Sequence, residues 1–276
     1  MTPEYPFLKG HGTHNDFVLL PDHDGSRHTD LSEQTLRALC DRRGGIGGDG
    51  VLRVVRRPDG SGAGAGLWFM DYRNADGSIA EMCGNGVRVF ARYLATEGLI
   101  DPALPLDVDT RAGIKRVWFE DGRPDGEVSV DMGVPQLLGA TAVRVGEHEW
   151  SATHVDMGNP HAVAFVDDLA EAGPLREPPV HDEGTYPRGV NVEFVVRRGP
   201  AELAMRVHER GSGETQACGT GACAVAVAAT EAFGLDRDLD LAVEQPGGVV
   251  TVRWTAEGRV VMTGPAVLVA RGATAL

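Results

Sequence analysis

The stretch E-M-C-G-N-G-V-R-V-F-A-R-Y, residues 81–93, has a near-copy later in the chain, Q-A-C-G-T-G-A-C-A-V-A-V-A, residues 216–228. Each holds a cysteine, a Gly-x-Gly and then an apolar run with helical spacing. The cysteines, Cys83 and Cys218, lie 135 positions apart (218 − 83 = 135), about half of the 276 residues. The same offset pairs Gly84 with Gly219, Asn85 with Thr220 and Gly86 with Gly221. A thiol at a helix mouth meets unpaired N–H groups and the positive end of the helix dipole, so both thiols are expected to be more acidic than free cysteine. Two such thiols facing each other across a cleft suit a reaction in which a proton leaves one face of a carbon and another arrives on the opposite face.

The duplication and the length favour two domains with proper cores. Charged residues at 24% and apolar residues at 42% are ordinary for a globular protein. A formal net charge of −14 argues against nucleic acid or an anionic membrane surface as a partner. No 18-residue apolar run predicts a transmembrane helix, and M-T-P-E-Y-P-F-L-K-G lacks the features of a signal peptide, so a cytoplasmic location is expected. The four cysteines, Cys40, Cys83, Cys218 and Cys223, show no C-x-x-C pair and no metal-type spacing, and no metal site is predicted. Lys9 and Lys115 are the only lysines, and neither stands where a pyridoxal-phosphate Schiff base would form.

Strand patterns cover residues 5–9, 14–20, 50–57, 67–72, 106–110, 114–119 and 127–132 in the first half. A helix is predicted over Leu31–Arg42, with Asp30 as N-cap and Gly44-Gly45 as its stop. Gly84–Thr96 reads as a second helix. The second half carries strand patterns at 141–146, 149–156, 162–167, 190–197, 203–208, 241–243, 248–254 and 259–263. Its helix, 222–232, is apolar nearly all round, which implies burial on every side. The glycine-rich tip P-D-G-S-G-A-G-A-G lacks the Lys-Ser/Thr ending of a P-loop and reads as a solvent loop.

The repeat extends upstream of the thiols. Asn74 precedes Cys83 by nine residues and Glu209 precedes Cys218 by nine, each where a strand pattern gives way to a polar loop. Glu209 and Arg210 taken alone would be a surface ion pair. In D-M-G-N-P-H-A-V-A-F (156–165), His161 follows a turn dipeptide and would ordinarily be a plain turn histidine. Beside a thiol, though, an imidazole can tune its ionisation.

Together these segments resemble the diaminopimelate epimerases, members of the cofactor-independent racemase superfamily that also holds proline racemases and phenazine-biosynthesis isomerases. The resemblance is carried by K-G-H-G-T-H-N-D-F (9–17), G-G-I-G-G-D-G (44–50), Y-R-N-A-D-G-S-I-A-E-M-C-G-N-G-V-R (72–88), G-N-P-H (158–161), G-V-N-V-E-F (189–194) and E-R-G-S-G-E-T-Q-A-C-G-T-G (209–221). It implies an isomerase that interconverts L,L- and meso-2,6-diaminopimelate without a cofactor, in lysine and peptidoglycan precursor synthesis. Cys83 and Cys218 would be its acid–base pair. Asn15, Asn74, Gly84, Asn85, Asn159, Asn191, Glu209, Arg210, Gly219 and Thr220 would contact substrate, and His161 and Glu209 would tune the thiols. A homodimer is left open. The expected fold class is α+β, with two pseudo-symmetric domains, each a mixed, mainly antiparallel sheet or barrel wrapped around a central helix. Their expected extents are 1–126 with 266–276, and 127–265.

Two positions depart from the family pattern. Gly50 falls where some relatives carry glutamine, and His208 where many carry an aromatic residue. A proline racemase would usually have histidine at Asn85, and the carboxylate-using isomerases lack the paired thiols. A thiol redox protein is the alternative from another class, but it has no need of the mirrored C-G-x-G segments.

Overall fold

The computed structural model describes residues 5–29, 31–59 and 64–275. By its internal contacts the chain separates into two compact units. One is Asp131–Thr263; the other is the chain up to Val130 together with the segment from Gly264 onward.

The first unit opens with a hairpin of β1 (Tyr5–Gly12) and β2 (Asn15–Pro21). Its two-residue turn puts Thr13 and His14 at φ 49° and 61°, the left-handed backbone that such a tight hairpin requires. β1 therefore runs three residues beyond the predicted strand, and Asn15 starts β2. Helix α1 (Glu33–Cys40) follows, shorter than the predicted 31–42, with the Ser32 hydroxyl accepting from Thr35 N–H at 3.1 Å. Asp30, the predicted cap, lies outside the described residues. After α1 the chain turns back so closely that a Cβ on Gly45 would fall 1.9 Å from the Ala38 carbonyl oxygen. Then come β3 (Gly50–Arg56), β4 (Trp68–Asn74), helix α2 (Gly84–Thr96), β5 (Leu106–Thr110), β6 (Gly113–Phe119) and β7 (Val128–Gly133). Part of the glycine-rich tip between β3 and β4, residues 60–63, lies outside the described residues.

The second unit contains β8 (Gln136–Val145), β9 (His148–Asp156), β10 (Pro160–Phe165), the two-residue β11 (Val180–His181), β12 (Asn191–Arg197), β13 (Glu202–Glu209) and the two-residue β14 (Gly213–Glu214). Helix α3 (Gly219–Phe233) leads to β15 (Asp240–Gln245), β16 (Gly248–Trp254) and β17 (Val260–Gly264). The last strand, β18 (Val267–Thr274), lies in the segment expected to join the first domain, although no strand pattern was read there, and it pairs antiparallel with β1. Gly10 makes that pairing fit, since a Cβ there would come 2.8 Å from the Val267 carbonyl oxygen.

Strand order exposes the duplication. The first unit pairs β18–β1–β2–β3–β4–β5–β6–β7 with the senses antiparallel, antiparallel, parallel, antiparallel, parallel, antiparallel, antiparallel. The second pairs β8–β9–β10–β12–β13–β15–β16–β17 with the same seven senses in the same order. Helix α2 follows β4 and α3 follows β13, the same place in each series. The fold is α+β with a mixed, mainly antiparallel sheet in each unit, as the sequence implied.

Each helix is enclosed. Every residue of α2 from Gly84 to Ala95 is buried, and so is nearly all of α3 to Thr230. The predicted start of α3 at residue 222 is three residues late, because glycines at 219 and 221 hide the first turn from a pattern of apolar spacing. Among the described residues no helix is long and apolar enough to cross a membrane. Because α3 has no free side, added volume has nowhere to go. Ala226→Leu, at a fully buried position, is expected to cost about 1–3 kcal/mol in urea unfolding, with native-like circular dichroism. An unchanged midpoint would show that the helix has slack on that face.

Candidate active site

Both thiols cap their helices. Cys83 precedes α2 with extended backbone, and its Sγ accepts the Gly86 N–H at 3.4 Å. Cys218 does the same for α3, accepting the Gly221 N–H at 3.3 Å. The third helical residue must come close to the sulfur for this, and both positions are glycine. A Cβ on Gly86 would sit 3.3 Å from the Cys83 Cβ, and one on Gly221 would sit 3.2 Å from the Cys218 Sγ. Position for position, the repeat read from sequence is a repeat of helix mouths.

Strand register extends the equivalence. In the first unit Phe17 pairs with Gly50 and Gly50 with Asn74. In the second, His161 pairs with Asn191, and Val192 with His208, which sets Asn191 opposite Glu209. Asn15, Gly50 and Asn74 thus correspond to Asn159, Asn191 and Glu209. Asn15 and Asn159, two of the expected substrate contacts, are therefore one position in two copies.

Around Cys83, the thiol donates to Asn15 Oδ1 at 3.5 Å, and Asn85 Nδ2 donates to the same oxygen at 3.2 Å. Asn15 Nδ2 donates to Asp49 Oδ2 at 2.8 Å. A carboxylate only accepts, so Asp49 fixes which end of Asn15 faces the sulfur. Asp49 in turn takes a 2.7 Å bond from Arg42, which also binds Asp16. Asn85 is 1% exposed, and while its Nδ2 holds Asn15 its Oδ1 accepts from Arg88 at 3.0 Å. Asn74 donates to Ser78 Oγ at 2.9 Å in the turn after β4. Gly50 could not carry a glutamine without rearrangement, because its Cβ would come 2.7 Å from the Tyr72 ring.

Around Cys218, the Thr220 hydroxyl lies 3.6 Å from Sγ and accepts from Asn159 Nδ2 at 3.4 Å. Asn159 Oδ1 lies 3.1 Å from His161 Nε2, and His161 Nδ1 lies 2.7 Å from Glu193 Oε1. Glu209 accepts from the Thr215 hydroxyl and bonds the Cys218 thiol. Glu209 is therefore engaged at the sulfur, and the surface ion pair with Arg210 does not form. The Arg210 guanidinium is exposed, bonded to the Arg188 carbonyl at 3.4 Å. Its backbone N–H is held by Asn191 Oδ1 at 2.9 Å. The Cys218 N–H donates to Gln245 Oε1 at 2.8 Å. His208 lies on the other face of β13, buried, and takes no part.

The expected acidity of Cys218 is overturned. Burial pushes this thiol well above the ordinary range, and the carboxylates of Glu209 and Glu193 push it further; the Thr220 hydroxyl and the Gly221 N–H act in the opposite sense but do not prevail. Burial likewise raises Glu209, opposed by its bonds from Thr215 and Cys218. The helix mouth was legible from the sequence, but the two carboxylates folded over it were not. Glu193, Asp49, Thr215 and Gln245 all escaped the sequence reading. For Glu193 a signal existed, a charged residue inside the apolar strand run N-V-E-F-V-V.

The fold is that of the two-domain epimerases and isomerases. The phenazine biosynthesis protein of the PhzF family from Bacillus anthracis superposes with a TM-score of 0.73 at 16% identity, covering 99% of each chain. A hydroxyproline epimerase from Agrobacterium vitis superposes with a TM-score of 0.68 at 17% identity, covering 98% of this chain and 92% of that one. Sequence narrows the class. The family profile described as diaminopimelate epimerase matches residues 7–138 and 153–269. The diaminopimelate epimerase of Streptomyces coelicolor is 54% identical over 99% of this chain and 96% of its own length, and that of Thermobifida fusca is 47% identical over 96% of each. The chain belongs to the diaminopimelate epimerase family.

In the substrate-free protein, Cys218 is expected to alkylate slowly with iodoacetamide through about pH 8.5, where an unperturbed cysteine is half ionised. Mass-spectrometric peptide mapping over a pH series reads this out. A rate at Cys218 matching that of a free thiol would contradict the electrostatics described above.

Proposed function

We propose that the protein epimerises 2,6-diaminopimelate between its L,L and meso forms by proton transfer to and from Cys83 and Cys218, without a cofactor. One observation carries this reading. Each unit presents a cysteine at the N-cap of a buried helix, its sulfur held by the third helical amide, with an equivalent asparagine beside it.

The chemistry needs two opposed proton carriers. An amino-acid α-proton is a very weak acid, and negative charge developing on the carboxylate must be met by preorganised donors. In the first turn of α3, Gly221 N–H goes to Cys218 Sγ and Ala222 N–H to the Cys218 carbonyl, which leaves the Gly219 and Thr220 amides for an α-carboxylate. The corresponding turn of α2 is built on the same glycines. One sulfur removes the proton as thiolate while the other delivers one as thiol, and the roles exchange afterwards. A thiol pushed up by burial holds its proton until substrate arrives, and then Glu209, itself raised, is the neighbouring group that can take it. Arg210, with Asn191 and Asn74, suits the distal amino-acid end, which must be held in one configuration. Assembly as a homodimer belongs to the same proposal and is read by sedimentation velocity.

Cys83→Ala and Cys218→Ala are each expected to lower epimerisation by at least about 10²–10⁴-fold, the usual worth of a general acid or base. The assay is loss of optical asymmetry from L,L-diaminopimelate, with solvent deuterium appearing at the α-carbon. Cys40→Ala and Cys223→Ala, at buried cysteines that cap neither helix, should alter stability more than turnover. Wild-type turnover in either active-site alanine variant would end the two-thiol reading. Deuterium uptake from L-proline but not from diaminopimelate would move the enzyme to another substrate.

A further inference from the structure

The two units solve one structural problem in two ways. Register sets Phe17 against His161 and Leu52 against Glu193, since Phe17 pairs with Gly50 as His161 pairs with Asn191, and each second residue lies two places further along its strand. In the first unit this pair is Phe17 and Leu52, both fully buried, and a Cβ on Gly86 would sit 3.3 Å from the Leu52 side chain and 3.5 Å from the Phe17 ring. In the second unit the same places hold an imidazole and a carboxylate, both fully buried and 2.7 Å apart, with Glu193 Oε1 only 2.8 Å from where a Cβ on Gly221 would stand. Glu193 Oε2 has no hydrogen-bond partner among the described residues.

The fold does not require this pair, because its apolar counterpart builds the same strand order and the same helix mouth. A buried carboxylate with one oxygen unsatisfied is costly to retain, and an apolar replacement of similar volume is often neutral or stabilising. What favours the charge locally is the positive end of α3 against which it lies. Its one polar bond is to His161, and from there a row of side chains runs to the sulfur. His161 Nε2 meets Asn159 Oδ1 at 3.1 Å, Asn159 Nδ2 meets Thr220 Oγ1 at 3.4 Å, and Thr220 Oγ1 lies 3.6 Å from Cys218 Sγ.

We propose that Glu193 is a positioning residue for proton transfer at Cys218: by making Nδ1 of His161 a donor, it fixes the direction of the hydrogen-bonded row His161–Asn159–Thr220 that ends at the sulfur. The proposal rests on the two-thiol reading above and deepens it. A carboxylate can only accept, so Nδ1 carries a hydrogen and Nε2 is the ring atom turned to Asn159. Asn159 Oδ1 can only accept, so Nε2–H donates to it as well, Asn159 Nδ2 donates to Thr220 Oγ1, and the Thr220 hydroxyl is left to donate to Cys218 Sγ. The Cys83 site has its own fixed carboxylate, Asp49, but it acts on Asn15 directly and no imidazole intervenes. The two thiols are thus served by different supports, and only that of Cys218 contains an imidazole.

The test uses the full-length protein and four variants: Glu193→Gln, His161→Phe, Glu193→Leu, and His161→Phe with Glu193→Leu, which copies the first unit into the second. Glutamine can donate or accept, so it no longer holds Nδ1 as a donor. Glu193→Gln should lower kcat by about ten- to a hundredfold, the scale on which a supporting partner of a functional histidine acts, with KM within about twofold. Because Glu193 acts through His161, the double variant should lose no more than about twofold beyond His161→Phe alone. It should also melt at or above the wild-type temperature, which shows that the lost activity is not lost folding. Nitrogen-15 NMR of wild-type His161, assigned against His161→Phe, should show Nδ1 protonated, and Glu193→Gln should change that signature. The proposal is overturned by a wild-type ring protonated on Nε2 alone, by Glu193→Gln with unchanged kcat, or by losses that multiply in the double variant. Failure of the two-thiol reading would show separately, as a wild-type protein that exchanges no α-proton of diaminopimelate with deuterium oxide, whatever the tautomer of His161.

Discussion

A single bond, from the amide of the third helical residue to a cysteine sulfur, organises both halves of this protein. It requires the cysteine to stand at the N-cap with extended backbone, and a glycine two residues beyond the helix start so that nothing separates amide from sulfur. It also requires the helix to be enclosed, so that its mouth opens toward strand ends and not toward bulk water. In each unit a buried apolar helix stands behind that mouth, and polar residues stand at the ends of β4 and β13. A helix N-terminus is a poor place for a cation and a good one for an anion, so the same geometry that holds the sulfur readies the site for a carboxylate.

The duplicated frame carries unequal contents. Near Cys83 the polar neighbours are amides and a carboxylate tied into the Arg42 and Asp16 network at the rim. Near Cys218 two carboxylates and an imidazole are buried together. On the two-thiol proposal, an enzyme acting on the two mirror-related forms of one carbon has no need for equal sulfurs. It needs each to reach the right protonation state when substrate is bound, and an environment can do that by stored charge on one side and by hydrogen bonding on the other.

The repeat was legible in the sequence because helix mouths have a short, strict vocabulary. Cys-Gly-x-Gly and an apolar run located α2 to the residue and α3 to within three residues. Strand positions in both halves followed from alternation, but the hairpin turn at Thr13 and His14 did not, since a left-handed backbone is uncommon without glycine and most of all at a β-branched residue such as Thr13. The buried carboxylates were illegible for another reason. Whether Glu193 faces a core or a site depends on which strands flank β12 and on what the opposite half holds in the same place. Neither is written locally in N-V-E-F-V-V. The direction of the Cys218 shift failed for the same cause: the dipole is a local feature, whereas burial and the distant carboxylates are products of the fold.

The pairing of β18 with β1 bears on how the protein comes into being. The stretch Asp131–Thr263 is continuous, so its sheet has every strand as soon as residue 263 has been made. The other sheet, although its first strands are made earliest, lacks an edge until the segment from Val267 onward is available to lie along β1. During synthesis on the ribosome, the half that begins the chain is therefore the half that closes last, and until it closes β1 offers an open row of backbone donors and acceptors to any other strand.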